Sequence, residues 1–185
     1  MTSTTLRLFL AAILVSVLGA CGEPQDASEA TSEEAAPANA VDGGAAAADA
    51  IPETGSAWLD EQRRFLETFA AEDGVERSPG GVYYRVLTAG TGRMPKLGDI
   101  VRVHYEGRLV NGVVFDSSYE RGAPAEFPSD RLIRGWQEIL TMMHEGGKWQ
   151  IAIPAELAYG ARGAGDVIPP DSALLFTIEL IEVKG

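Results

Sequence analysis

The residues best placed to do chemistry lie between Phe115 and Trp136. Asp116, Ser117 and Ser118 follow Phe115 directly, and Phe127, Leu132, Ile133 and Trp136 stand downstream among turn residues. The bulky side chains supply enough aromatic and aliphatic area to line a small pocket, with the polar groups at its edge. The stretch contains no metal-ligand spacing and no nucleophile paired with a base. An apolar pocket with a few placed polar groups suits a reaction that needs its ligand shaped rather than acid–base chemistry.

Other residue types narrow the field. Cys21 is the one cysteine, so neither an internal disulfide nor a thiolate metal cluster can form. His104 and His144 have no His or Cys partner in sequence reach, and neither a zinc site nor a cofactor is expected. The net charge is −12, but it is unevenly spread. Residues 22–57 hold eight acids and no Lys or Arg, whereas from Trp58 onward 19 acids face 14 bases. No basic face is in prospect, which excludes nucleic acid as a partner.

Several elements must position the pocket. Arg7, the apolar run Leu8 to Leu18 and the small pair Gly19-Ala20 have the layout of a signal peptide over residues 1–20, too short for a comfortable membrane span. Residues 21–55 are Ala, Glu, Asp, Ser, Pro and Gly with few bulky apolar side chains. Such a tract cannot bury enough surface to offset its ordering entropy, and its like charges keep it extended, so a disordered tether is expected. Residues 56–73 read as an amphipathic helix with Ser56 as N-cap. Its Trp58, Leu59, Phe65, Leu66 and Phe69 recur at helical spacing and are expected to dock on the same domain rather than on a second copy.

From residue 74 to 185 the pattern changes to strands. Val82 to Leu87, Ile100 to Val110, Trp149 to Ile153 and Phe176 to Leu180 read as strands. In the clearest of them Val101, Val103 and Tyr105 alternate with Arg102, His104 and Glu106, which puts Tyr105 on the buried face and His104 on the exposed one. Asn111-Gly112 signals a hairpin that returns through Val113 to Phe115, bringing Phe115 towards Tyr105. Gln137 to Glu145 reads as a short helix stopped by Gly146-Gly147. Antiparallel strands with short helices make this an α+β domain.

Six motifs in order, Val103-His104-Tyr105-Glu106-Gly107, Phe115-Asp116-Ser117-Ser118, Ile133-Arg134-Gly135-Trp136, Leu157-Ala158-Tyr159-Gly160, Ile168-Pro169-Pro170 and Leu174-Leu175-Phe176, resemble the FKBP-type peptidyl-prolyl cis-trans isomerases. The segment Ser118 to Pro128 is most similar to their bacterial macrophage-infectivity-potentiator branch. The resemblance implies an antiparallel sheet curled around one short helix, with a proline pocket between them. It makes Trp136 the pocket floor, and Tyr105, Phe115, Leu132, Ile133 and Phe176 its walls. Tyr159 and Ile168 belong to the loop above, Asp116 is the polar group at the edge, and the Ile133 N–H donates to the bound peptide. Asp116, Tyr159 and Tyr105 become the catalytic candidates. Ala125 stands where eukaryotic members often carry an aromatic, and Ala164 where some carry a His. The implied partners are proline-containing polypeptides and the family's macrolide inhibitors. A non-catalytic peptide-binding chaperone or adaptor on the same fold is the alternative. That branch usually carries a long helical dimerisation domain, and only a short helix and a tether stand in its place, so a monomer is expected.

Leu18-Gly19-Ala20-Cys21 resembles the lipobox of bacterial lipoproteins. That implies cleavage before Cys21, a diacylglyceryl group on its thiol and a further fatty acyl chain, such as palmitate, on its amino group. Two or more chains anchor a protein stably. The implied location is the bacterial cell envelope, at an outer membrane where the cell has one, because Gly22 rather than Asp follows the cysteine.

Overall fold

A computed structural model of the chain describes residues 55–185. The expected signal peptide, Cys21 and residues 22–54 of the expected tether lie outside the described residues.

Helix α1 spans Ser56–Ala70. Ser56, expected as the N-cap, is its first helical residue, and Gly55 takes the cap position with extended backbone and no side chain to bond the open N–H groups. The buried stripe is Trp58, Gln62 and Phe69, at helical spacing. It docks on its own domain. The Trp58 indole N–H donates to the Pro170 carbonyl at 2.9 Å, and the Gln62 side-chain oxygen accepts the Ala173 N–H at 3.0 Å. Leu59, expected in the stripe, is exposed.

Seven strands form one antiparallel sheet: β1 (Val75–Arg77), β2 (Tyr83–Thr88), β3 (Ile100–Leu109), β4 (Val114–Ser117), β5 (Ala125–Pro128), β6 (Lys148–Ile153) and β7 (Leu174–Lys184). Their order is β1-β2-β6-β7-β3-β4, with β5 also on β3. Sequence patterning missed β1 and β5. The first is only three residues long. The second is Ala125-Glu126-Phe127-Pro128, which holds a single bulky apolar residue.

Strand β3 is central, and it is buried at every second residue: Val101, Val103, Tyr105, Gly107 and Leu109. Strand β7 pairs with it from Ile100↔Lys184 to Leu109↔Leu174, with an irregularity at Arg102/Val103. The extra residue explains why β7 buries Leu174, Phe176, Ile178 and Leu180 but then Val183. The other edge of β3 is shared. Strand β5 pairs with its first half and β4 with its second, so β4 and β5 act as one strand interrupted by residues 118–124.

Helix α2 (Arg134–Leu140) closes the core against the inner face of the sheet. It begins three residues before the expected Gln137. Its buried residues are Gly135, Trp136, Ile139 and Leu140, one helical face. A side chain at Gly135 would put its Cβ 2.6 Å from Ile153 Cγ2, so glycine there lets α2 approach β6 closely.

Gly107 makes a second close approach. A Cβ there would lie 2.6 Å from Phe115 Cζ and 2.7 Å from Phe176 Cε1. Both rings are packed and cannot swing aside freely. Gly107→Ala is expected to cost about 1–3 kcal/mol of stability, the usual range for overpacking a filled core. Urea denaturation monitored by circular dichroism checks this, and an unchanged midpoint would mean the rings move apart without strain.

Candidate active site

Trp136 enters the core from the first turn of α2 and is 4% exposed. Three rings surround it edge-on. Tyr105 of β3 lies at 5.3 Å and 86°, Phe176 of β7 at 5.3 Å and 88°, and Phe127 of β5 at 6.5 Å and 85°. Phe115 of β4 stacks edge-on against Phe176 at 5.5 Å. Such T-shaped arrangements set the positive edge of one ring against the negative face of another. Leu132, Ile133 and Tyr159 pack half-buried against the same core, and Ile168 is fully inside it.

These wall, floor and loop residues thus come together around one site. The Tyr105 ring meets Phe127 rather than Phe115 among its aromatic neighbours, at 6.0 Å, although Tyr105 itself falls between the residues of β3 that pair with β5 and those that pair with β4. Phe127 was one of the bulky residues that marked this stretch, yet the family motifs gave it no role. Its place in the ring cluster depends on a strand that the sequence pattern does not reveal.

The polar edge is a three-part knot. Tyr105 Oη donates to Asp116 Oδ2 at 2.5 Å. The Arg121 guanidinium bonds Asp116 Oδ1, donates to Tyr105 Oη at 2.8 Å, and lies 5.4 Å from the centre of the Tyr105 ring. Both carboxylate oxygens of Asp116 are therefore engaged within the protein. Arg121, which sequence reasoning gave no role, is the third member of this polar edge. Its only sequence signal is the run Tyr119 to Gly122, whose turn brings a residue five positions on back towards Asp116.

Burial pushes the Tyr105 hydroxyl well above the ordinary tyrosine range, its bond to the Asp116 carboxylate adds to the rise, and Arg121 opposes it. Tyr159 shifts the same way, first through burial and then through the Asp116 charge. No hydrogen bond contributes to the Tyr159 shift. Gln137 Nε2 holds the Leu132 carbonyl, which adjoins Ile133, at 2.7 Å. Ala164 and Ile168 pair with each other by two backbone bonds, which fixes the loop that carries Tyr159.

His104 departs from expectation. It is half-buried rather than exposed, with Nδ1 2.9 Å from Ser118 Oγ and its ring stacked on Tyr119 at 4.7 Å. It stands on the outer face of the sheet, away from the ring cluster. Among the described residues no group of acids, histidines or cysteines could hold a metal ion.

Residues 91–181 match the family model described as FKBP-type peptidyl-prolyl cis-trans isomerase. The chain is 52% identical over 120 residues to the FKBP-type 22 kDa peptidyl-prolyl cis-trans isomerase of Escherichia coli, covering 65% of this chain and 58% of that protein. It is 51% identical over 125 residues to the peptidyl-prolyl cis-trans isomerase Mip of Coxiella burnetii, covering 68% of this chain and 54% of that protein. It thus spans little more than half the length of these curated relatives. A crystal structure of a peptidyl-prolyl cis-trans isomerase from Pseudomonas syringae matches at a TM-score of 0.66 and 42% identity, covering 70% of this chain and 95% of that one. The chain belongs to the FKBP-type peptidyl-prolyl cis-trans isomerase family.

The raised tyrosine values have a testable sign. A phenol held protonated in the fold stabilises it fully below the unfolded value of about 10. That stability is lost as pH climbs from there through the higher folded value, because the unfolded chain ionises first. Wild type should therefore lose stability above about pH 10, and Tyr105→Phe should lose it less steeply. Denaturant midpoints measured from pH 8 to 11 check this, and equal slopes for the two proteins would contradict the buried, donating hydroxyl.

Proposed function

We propose that this chain is a peptidyl-prolyl cis-trans isomerase acting on X-Pro bonds of folding polypeptides. The observation that carries the reading is the set of three rings edge-on around a buried tryptophan, with Tyr159 and Ile133 packed half-buried beside it.

Rotation about the X-Pro bond is slow because amide resonance gives it double-bond character, with a barrier of about 18–20 kcal/mol. Resonance also places negative charge on the carbonyl oxygen, which water stabilises in the planar state. A dry aromatic pocket withdraws that solvation, so the planar form loses more than the twisted one. The proline ring rests on Trp136. Tyr105, Phe127 and Phe176 present a shape suited to the twisted imide, and binding the transition state better than the ground state is what accelerates the step. The Ile133 N–H holds the peptide backbone, and the Tyr159 hydroxyl donates to a substrate carbonyl. No bond breaks, so no nucleophile is needed.

Asp116 acts in this reading through the wall beside it. With both oxygens committed to Tyr105 and Arg121, it sets the wall that touches substrate instead of bonding the substrate itself. The walls at Phe115, Ile133 and Phe176 suit a bulky apolar residue before proline, and the family's macrolide inhibitors would compete for the same site. Trp58 and Phe69 are buried within this domain, which supports a monomer.

Tyr159→Phe is expected to slow isomerisation by up to about tenfold, the worth of one hydrogen bond, with little change in melting temperature. Trp136→Ala should lower both rate and stability, the latter by about 3–5 kcal/mol. Asp116→Val should also lower both, by about 1–3 kcal/mol in stability, because it strands the Tyr105 hydroxyl and Arg121. The measurement is protease-free turnover of a proline peptide beside thermal unfolding of each variant. A fully folded wild type that binds such peptides without turning them over would replace the isomerase with a peptide-binding module.

We further propose that the protein is lipid-anchored in the bacterial cell envelope through Cys21, a reading supported by Leu18-Gly19-Ala20-Cys21. Cys21→Ser should leave the protein unprocessed or free of membranes. Membrane fractionation with labelled palmitate checks this, and an unlabelled, soluble wild type would sink it.

A further inference from the structure

An open cleft of about 320 Å³ lies beside the ring cluster, under the turn of residues 118–124. Tyr105, Asp116 and Phe127 line it and also belong to the ring cluster or its polar edge, so the cleft opens directly from the wall of the proline site. Arg121, Pro124 and Ala125 help to complete its far side, whereas Trp136 is not part of its lining.

Ala125 keeps the cleft open. It stands two residues before Phe127 in β5, and both are half-buried while Glu126 and Pro128 are exposed. Residues two apart in a strand share a face, so the Ala125 methyl points the way the Phe127 ring does. A large side chain at this position would occupy the space.

The charges around the cleft are already matched. Arg121 is paired with Asp116, and Glu126 at the rim is paired with Lys184 at 2.5 Å. A charged guest would have to compete with these bonds. An uncharged one meets the Tyr105 and Phe127 rings, the Pro124 ring and the Ala125 methyl.

We propose that this cleft is a second substrate subsite that takes the bulky, uncharged side chain, aromatic or aliphatic, of a residue flanking the X-Pro pair. It rests on the isomerase reading above. The chain would then select proline sites set in apolar stretches, which unfolded chains expose and folded ones hide.

The test uses the full chain and two peptide series. Each keeps one X-Pro pair and varies either the residue before X or the residue after proline among Ala, Phe, Lys and Glu. In one of the two series kcat/KM with Phe should exceed that with Ala by roughly tenfold, a fraction of an aromatic side chain's full burial, and Lys and Glu should give no gain. Ala125→Phe, which fills the cleft, should bring the Phe-to-Ala ratio close to one, and Ala125→Val should give an intermediate ratio. Thermal unfolding confirms that each variant is folded, and the smaller substitution carries the test if the larger does not fold. Isothermal titration of the same peptides separates this proposal from the one beneath it. Absent turnover with a surviving Phe preference in binding would overturn the isomerase and leave the subsite standing. A Phe-to-Ala ratio near one in both series, or a preference that Ala125→Phe leaves intact, would overturn the subsite.

Discussion

The site depends on one constraint: a tryptophan at the start of a two-turn helix must be faced on three sides by ring edges. Trp136 can sit that deep only because Gly135 beside it lets α2 press against Ile153. Its neighbours come from β3, β5 and β7, three strands far apart in sequence, so the site forms only when the sheet does. Tyr105 carries the arrangement outward. Its ring belongs to the cluster and its hydroxyl to the Asp116–Arg121 pair, so the border between apolar and charged surroundings falls along one side chain. A carboxylate and a guanidinium that close to a binding wall would be costly unpaired, and pairing them with each other keeps the wall neutral.

The broken strand on the outer edge of β3 needs its own repair. Where β4 has ended and β5 has not begun, Tyr105 would be left without ladder partners. Ser118 takes their place. Its hydroxyl accepts the Tyr105 N–H at 2.7 Å and donates to the Tyr105 carbonyl at 3.1 Å, and its own N–H reaches the same carbonyl at 2.9 Å. One hydroxyl hydrogen is then spent, so the contact with His104 Nδ1 requires the ring nitrogen to donate. The next residue, Tyr119, crosses to the outer face, where it stacks on His104 and bonds Glu179. The excursion that supplies Arg121 to the site is thus pinned at its root on both faces of the sheet.

Much of this was legible in the sequence. The alternation in β3, β6 and β7 is strong because each strand has one face on the core, and the ring residues other than Phe127 stood within recognisable motifs. What escaped was set by tertiary context. Strand β5 offers one bulky residue in four and is a strand because β3 has an edge to fill. Helix α2 starts early because Arg134 to Trp136 follow the turn that Gln137 fixes from within the helix. Arg121 is one of 15 basic residues in the chain, and nothing in its neighbourhood marks it until the turn folds back. His104 obeys the alternation, yet it is shielded by an aromatic from the excursion, which no single-strand pattern can register. The partners of Asp116 were hidden for a similar reason, since they lie 11 residues before it and five after it.

The position of β7 bears on how the chain reaches this state. It is the last strand in sequence but sits in the middle of the sheet, between β6 and β3. Strand β3 closes against it at a separation of 84 residues at the widest pair, Ile100↔Lys184. Pairings of such long range are slow to form, because the loop must be closed before any contact offsets its entropy. On a ribosome, residues 75–173 would emerge as paired edges with no centre. Such a chain stays open and aggregation-prone until residues 174–184 arrive, and only then can the two halves of the sheet be joined. By its own topology this domain is a late and all-at-once folder.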